Sequence, residues 1–212
     1  FNSSEWLGAL GNSLLIAPLA TLLATVLGVL ASVGLVRGEF RGKSLVMAVL
    51  ISPMIAPVVI VAVGMFFFFA KLSLLNSYLG LVLAHAMLGV PFVVITVTAV
   101  LKNYDHNLTR AAASLGASPL LAFRKVTFPL IAPGVFSGAL FAFATSFDEV
   151  IVTLFLASPR QRTLPLQMFA GIRENLDPTI AAAATMMVGA ALVLLIVMEI
   201  LRRRSERLRS GG

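Results

Sequence analysis

Five long apolar runs, at residues 8–36, 44–70, 79–101, 130–157 and 179–201, constrain this chain more than any other feature. A helix rises about 1.5 Å per residue and the hydrocarbon core of a bilayer is about 30 Å thick, so roughly 20 such residues cross it. Each run meets that length. In lipid the backbone has no water to bond, and helices satisfy their own N–H and C=O groups. The predicted fold is therefore all-α, a polytopic membrane helical bundle of about five spans, forming one domain over residues 1–212. Several runs exceed the minimum, which implies tilt, kinks or extension beyond the lipid. Composition agrees: charged residues make up 12% of the chain, about half the roughly 25% of an ordinary soluble domain.

Five crossings place the connecting segments alternately on two sides. One side carries Arg37, Arg41, Lys43, Lys102, Arg110, Arg124, Lys125, Arg202, Arg203, Arg204, Arg207 and Arg209, and the other only Lys71, Arg160, Arg162 and Arg173. Twelve against four marks the first side as cytoplasmic, because excess Lys and Arg stay inside. The expected arrangement is a multi-pass protein of a bacterial cytoplasmic (inner) membrane, with Phe1 outside and a basic cytoplasmic tail over residues 202–212. Trp6 then sits at the outer interface. An outside start raises the expectation that one earlier span precedes Phe1. The net charge of +7 could suit a nucleic-acid binder, but the cations border apolar runs, so the lipid surface is the expected partner and nucleic acid is not. The chain has no Cys, and His85 and His106 lie in different segments, so no metal site is expected.

The segment 102–129 is the largest polar stretch on the basic side. Asp105 can cap a helix in which Leu108, Ala111, Ala112 and Leu115 recur at i, i+3, i+4 and i+7. Gly116 stands where a helix ending in a left-handed residue needs glycine, and Ser118-Pro119 supplies the cap and first-turn proline of a second short helix. Pro129 and Pro133 open the next span. The pattern predicts a helix–Gly turn–helix unit. Its small residues suit insertion into a partner's groove; an interfacial hairpin packed beneath the bundle is the competing reading.

This segment resembles the EAA loop of bacterial ABC importer permeases: Glu-Ala-Ala, three residues, Gly, nine residues, then Ile-x-Leu-Pro. Arg110-Ala111-Ala112, Gly116, Val126, Phe128 and Pro129 keep that spacing, with Arg110 in place of the family's Glu. Further stretches are similar to the PotC-type permeases of spermidine/putrescine importers: Asn12-Ser13-Leu14, Phe40-Arg41-Gly42-Lys43, Pro91-Phe92-Val93-Val94, Ser146-Phe147-Asp148-Glu149-Val150, Thr163-Leu164-Pro165 and Asp177-Pro178-Thr179. The resemblance implies a type I importer permease fold, usually of six spans, with a cytoplasmic coupling-helix hairpin. It implies two ATP-binding subunits, a second permease that is a different chain, an extracytoplasmic solute-binding protein and a small-molecule solute. ATP and Mg would bind the partner ATPase, and this chain would bind no cofactor. Residues Arg110, Ala111, Ala112, Gly116, Val126, Phe128 and Pro129 would couple to that ATPase. With its charge reversed, Arg110 calls for an acidic or neutral surface opposite it.

Within the spans, Asp148 and Glu149 are the strongest chemical signal. Asp148 lies 19 residues beyond Pro129, about 28 Å along a helix, toward the outer half. Two acids in a bilayer would cost roughly 5–7 kcal/mol unless water, a cation or another helix compensates. Neighbours on a helix point about 100° apart, so one acid can face a pathway while the other pairs with a second helix. The functional expectation for Phe147, Asp148 and Glu149 is a gate or a site of cation attraction; the competing one is a hydrated helix end paired with Arg160 or Arg162. Pro53 and Pro57 interrupt the second span and are candidates for a pathway kink, or for passive shape. The run Phe66–Phe69 points in all directions on a helix and suits lipid and core packing. His85, Asn12 and Ser13 are expected to hydrogen-bond within the bundle, Glu199 and Arg202–Arg204 to line a solvated edge, and the segment 158–178 to form a short outer helix.

No phosphate-binding G-x-x-x-x-G-K-S/T loop occurs, so hydrolysis would belong to another chain. The leading expectation is a non-catalytic permease subunit forming half of a translocation pathway for polyamines or a related small organic solute. The alternatives are an ion-coupled secondary transporter using Asp148 or Glu149, an ABC permease for a non-polyamine solute, and a purely structural membrane subunit.

Overall fold

A computed structural model describes residues 4–174 and 180–190, together with 192, 193, 196, 197 and 200. The features expected at Asp177-Pro178-Thr179, Glu199, Arg202–Arg204 and the tail 202–212 lie outside the described residues. The described chain forms helices α1 (Ser4–Arg37), α2 (Lys43–Ile55), α3 (Val58–Lys71), α4 (Tyr78–Lys102), α5 (His106–Ser114), α6 (Pro119–Ala122), α7 (Phe128–Phe147), α8 (Ile151–Leu156), α9 (Leu164–Glu174) and α10 (Ile180–Ala190). A π-helical turn, Phe123–Thr127, joins α6 to α7, so Pro119–Phe147 is one helix of 29 residues. That helix, α1 and α4 are each long and apolar enough to cross a membrane, and α2 with α3 makes a crossing broken by a 108° bend. Of the fifth expected run, the described part is α10 with residues 192, 193, 196, 197 and 200.

The core is a close contact of α1, α4 and α7. Lipid tails are as apolar as leucine, so helices in a bilayer associate through tight packing, which small residues permit. Ala20, Ala24, Gly28 and Ser32 recur every four residues on α1, and Gly134, Gly138, Ala142 and Ser146 do so on α7, all buried. Between these two ladders α4 inserts Ala86, Gly89, Val93 and Val97. A Cβ on Gly89 would stand 2.9 Å from that of Ala142 and 3.1 Å from that of Ala24. One on Gly138 would stand 2.7 Å from the Cα of Val93. Helices α1 and α4 run parallel: Tyr78 Oη donates to Asn12 Oδ1 (2.9 Å) at one end, and Ser32 Oγ reaches Val94 O (3.3 Å) deeper in. Arg37, Lys102 and the Arg124-Lys125 pair share the end where α1 and α4 finish. Arg160 and Arg162 lie at the other, beside Asn12.

The two prolines of the second span have different effects. Pro53 stays inside α2; the carbonyl its missing N–H abandons, Val49 O, accepts a hydrogen bond from Ser52 Oγ at 2.8 Å. Pro57 makes the break, because a residue before proline is driven out of the helical region, and Ala56 is extended at φ −70°, ψ 144°. Beyond the bend α3 buries Ala62, Met65 and Phe69 against Leu81, Ala84 and Leu88 of α4 and Val152 and Leu156 of α8. Of the four consecutive phenylalanines only Phe69 is buried, and Phe67 and Phe68 are more than half exposed, as a run that circles the helix must be. Helix α2 buries no residue.

The fourth span corrects the sequence reading at both ends. It was expected over 130–157, yet the helix begins at Pro119 and stops at Phe147. Residues 148–150 leave the helix, and α8 is a separate short piece. The runs on both sides of this gap are apolar; the helix stops where Glu149 turns its carboxylate onto the backbone N–H groups of Val152 and Thr153 and caps α8.

Candidate coupling and pathway sites

The loop at the basic end is built by local capping. Asp105 Oδ1 accepts from the N–H of Asn107 at 2.9 Å and starts α5. At its end the N–H of Gly116 bonds Ala113 O (2.9 Å) and that of Ala117 bonds Ala112 O (3.0 Å), the paired 5→2 and 6→1 pattern of a Schellman turn. Gly116 holds φ +84° with open space where a Cβ would be, so backbone conformation rather than room selects glycine there. Ser118 Oγ then accepts from Leu121 N, with Pro119 in the first turn.

One expectation about this unit is corrected. The second arm is not an independent short helix, because it runs without a break through the π turn into α7. Within the π turn the N–H of Phe128 bonds Phe123 O, five residues back, and this wider turn shifts the register just ahead of Pro129, which has no N–H to give. The tip is bare: α5 buries no residue, and Leu115 and Leu120 are 90% and 76% exposed. Arg110, Ala111 and Gly116 are exposed and Ala112 half-buried on this tip, while Val126 is half-buried and Phe128 and Pro129 are exposed at the foot of α7. Arg110 makes no ion pair with an acid among the described residues.

Four residues that sequence reasoning passed over tie this loop to the spans. Arg37 Nη2 donates to Thr127 Oγ1 at 2.8 Å, the Thr127 hydroxyl faces Tyr104 Oη at 3.5 Å, and Tyr104 Oη pairs with Thr109 Oγ1 at 2.6 Å. The available signal was one tyrosine and two threonines in a polar stretch beside apolar runs, which does not reveal that distant segments converge.

At the opposite end the two acids separate. Glu149 is buried, and its carboxylate accepts from Val152 N (2.6 Å), Thr153 N (2.9 Å) and Thr153 Oγ1 (3.0 Å), capping α8. Because the Thr153 hydroxyl donates to Glu149, it accepts from His85 Nε2 at 3.0 Å. His85 Nδ1 is then left to accept from Ser146 Oγ at 2.8 Å. His85 Nε2 also lies 3.8 Å from Glu149 Oε2. The expected bundle hydrogen bonds of His85 are present, with Thr153 as a partner unforeseen from sequence. Asp148, by contrast, is exposed, beside Phe147 stacked on Phe143 at 5.5 Å between centroids. Neither acid pairs with Arg160 or Arg162 among the described residues. Pro57 lies at the bend before α3, and α3 packs on α8, so the second-span break and the acids belong to neighbouring elements.

Asn12 and Ser13 clasp the segment that follows. Asn12 Nδ2 donates to Arg160 O and Arg162 O, each at 2.9 Å, and Ser13 Oγ accepts from Leu164 N at 2.8 Å. The expected outer helix is α9. Between it and α8 lies a half-open cleft of about 470 Å³ bordered by Arg162, Leu154, Leu166 and Phe169.

Comparison with known proteins places this architecture. Residues 24–210 match the family described as binding-protein-dependent transport system inner membrane component. The chain is 33% identical over 206 residues to the spermidine/putrescine transport system permease protein PotC of Haemophilus influenzae, covering 97% of this chain and 80% of that protein. The PotC of Escherichia coli K12 is 32% identical over 153 residues, or 72% of this chain and 58% of that protein. A sulfoquinovosyl glycerol transport system permease protein of Agrobacterium fabrum is 31% identical over 204 residues, covering 95% and 71%. Among solved structures, a bacterial ABC transporter that imports the acidic polysaccharide alginate shares the fold with a TM-score of 0.69 at 17% identity, over 97% of this chain and 75% of that one. The MetNI methionine ABC transporter does so at 0.66 and 18%, over 96% and 94%. An all-helical bundle with these apolar crossings and this match over most of its length belongs to the family of inner membrane components of binding-protein-dependent transport systems.

Proposed function

We propose that this chain is one half of the translocation pathway of an ATP-driven importer for polyamines such as spermidine and putrescine. The observation that carries the reading is the 33% identity over 97% of the chain to a spermidine/putrescine permease. The chain performs no chemistry of its own. Two ATP-binding subunits hold ATP and Mg and hydrolyse it, a second permease of different sequence forms the other half, and an extracytoplasmic binding protein delivers the solute. The exposed tip at Arg110–Gly116 enters a cleft of the ATPase, whose surface opposite Arg110 is acidic or neutral. The basic end, and with it the C-terminus, faces the cytoplasm, as the excess of Lys and Arg there supports. Asp148, exposed at the other end of α7, attracts the cationic solute, while Phe147, Glu149 and the break at Pro57 shape the outer gate. ATP-driven closure moves the loop, and the helices alternate between inward and outward opening.

The decisive experiment co-expresses this chain with its ATPase, second permease and binding protein in cells lacking polyamine uptake. Uptake of radiolabelled spermidine or putrescine should require the ATPase and stop when its hydrolysis is blocked. Transport by this chain without any ATPase would refute the reading and favour an ion-coupled carrier. The second reading, a non-polyamine organic solute, is favoured by the sulfoquinovosyl glycerol relative, which aligns over 95% of the chain; ATP-dependent growth on such a solute with no polyamine uptake would select it.

A further inference from the structure

The hydrogen bonds at the basic end form a directed relay across four separate elements. Arg37 ends α1, Thr127 closes the π turn, Tyr104 follows α4 and Thr109 lies in α5. Arg37 has only N–H groups to give, so Thr127 Oγ1 accepts at 2.8 Å; its own proton is then free to go to Tyr104 Oη at 3.5 Å, and the tyrosine proton to Thr109 Oγ1 at 2.6 Å. The Thr127 and Tyr104 hydroxyls each accept once and donate once, and Thr109 Oγ1 ends the relay as acceptor. Thr127 is fully buried and Tyr104 nearly so, which shields the middle of the relay from competing water, while Thr109 is half-buried and Arg37 exposed. The ring of Tyr104 also meets His106 edge-on at 5.5 Å, anchoring the start of α5. A second observation concerns the backbone: the other arm of the loop continues unbroken from Pro119 to Phe147. The loop is thus held to the bundle from both sides, by side chains at α5 and by continuous helix at α6.

We infer that Tyr104 and Thr127 are positioning residues that clamp the cytoplasmic loop to the inner ends of α1, α4 and α7, so that loop and helices move as one rigid body. The inference deepens the coupling role proposed for the loop. Bending is then left to the two breaks in the backbone, at 56–57 and 148–150. A pull on α5 reaches α1 through Arg37 and α7 through the π turn together. A loop tethered only by its ends would instead swing at 103–105 and dissipate the motion.

The test uses isosteres that preserve volume. Tyr104→Phe keeps the ring and its packing, Thr127→Val keeps the branched shape, and Thr127→Ser restores the hydroxyl. The chain has no cysteine, so Gly34→Cys on α1, where a Cβ meets nothing within 4 Å, and Ala113→Cys on α5, which is exposed, give two spin-label sites. In lipid nanodiscs, double electron–electron resonance should show one narrow distance distribution for the native relay. Tyr104→Phe and Thr127→Val should each broaden it about twofold, as each removes one short hydrogen bond and the 3.5 Å link that joins the two halves of the relay. Thr127→Ser should return it to the native width, and the double variant should be no broader than the broader single, since both cut one chain. A native-width distribution in Tyr104→Phe or Thr127→Val would overturn the inference. In the assembly trapped with ATP and vanadate the native distance should stay where it was; a shift there would also overturn it. The nanodisc arm needs neither ATPase nor solute, so its failure is distinct from failure of the importer reading, which is judged by ATP-dependent uptake.

Discussion

Replacing Glu149 by Ala separates the two neighbouring acids by what each does for the fold. The Glu149 carboxylate is buried and takes three hydrogen bonds, from Val152 N, Thr153 N and Thr153 Oγ1. Removing it leaves two backbone N–H groups at the start of α8 without an acceptor in a dry site, each costing about 1–3 kcal/mol. It also releases the Thr153 hydroxyl that holds His85 Nε2. Local relaxation recovers part of this, and loss of a buried cap of this kind comes to about 3 kcal/mol. At about 2–4 °C per kcal/mol for a chain of this size, the thermal midpoint should fall by roughly 6–12 °C. Glu149→Gln keeps one acceptor oxygen and should lose about half as much. Asp148→Asn alters an exposed side chain and should stay within about 0.5 kcal/mol. The assay is size-exclusion recovery of detergent-purified protein after a temperature series. A Glu149→Ala variant that melts with the native protein, or an Asp148→Asn variant that falls as far, would refute the division of labour.

Gly138→Val should cost about 3 kcal/mol or abolish insertion of a stable bundle, because even a Cβ there meets Val93 Cα at 2.7 Å; native-like recovery from detergent would contradict the close α4–α7 contact. Asn12→Ala strands Arg160 O and Arg162 O and should lower stability by about 1–2 kcal/mol, with faster protease cleavage near 158–163; unchanged cleavage would count against the clasp. Gly116→Asp must adopt φ near +84°, a strain of roughly 1–2 kcal/mol, so it should uncouple ATP hydrolysis from uptake while the spans still insert; normal transport would exclude the turn from coupling. Asp148→Asn should weaken uptake of labelled spermidine at low concentration, and identical uptake would remove that acid from solute attraction.

Much of this architecture could be read from residue order because its determinants are local. The caps at Asp105 and Ser118 and the left-handed Gly116 act within a few residues, and the structure has them where spacing predicted. Asn12, Ser13 and His85 were recognisable as bundle hydrogen bonders from polarity in an apolar run, although their partners lie 66, 148 and 150 residues away for Asn12 and 61 and 68 away for His85. Pro53 and Pro57 looked alike in sequence; only the rescue of Val49 O by Ser52 made the first harmless. The continuity of α6 with α7 was hidden because a π turn has no composition of its own, and two prolines suggested a helix start.

Residue order alone specifies a chain that spans a membrane, the end of it that is basic, and a capped Gly-turn loop at that end. Those properties follow from hydropathy over about 20 residues, from charge count and from backbone preferences, none of which needs a distant partner. Tertiary structure alone decided that Glu149 caps α8 while Asp148 stays exposed, that the small-residue ladders of α1 and α7 meet on α4, and that Arg37, Thr127, Tyr104 and Thr109 converge. Adjacent acids are alike until packing buries one of them, and a hydrogen bond across 90 residues, as between Arg37 and Thr127, exists only once the helices have been placed.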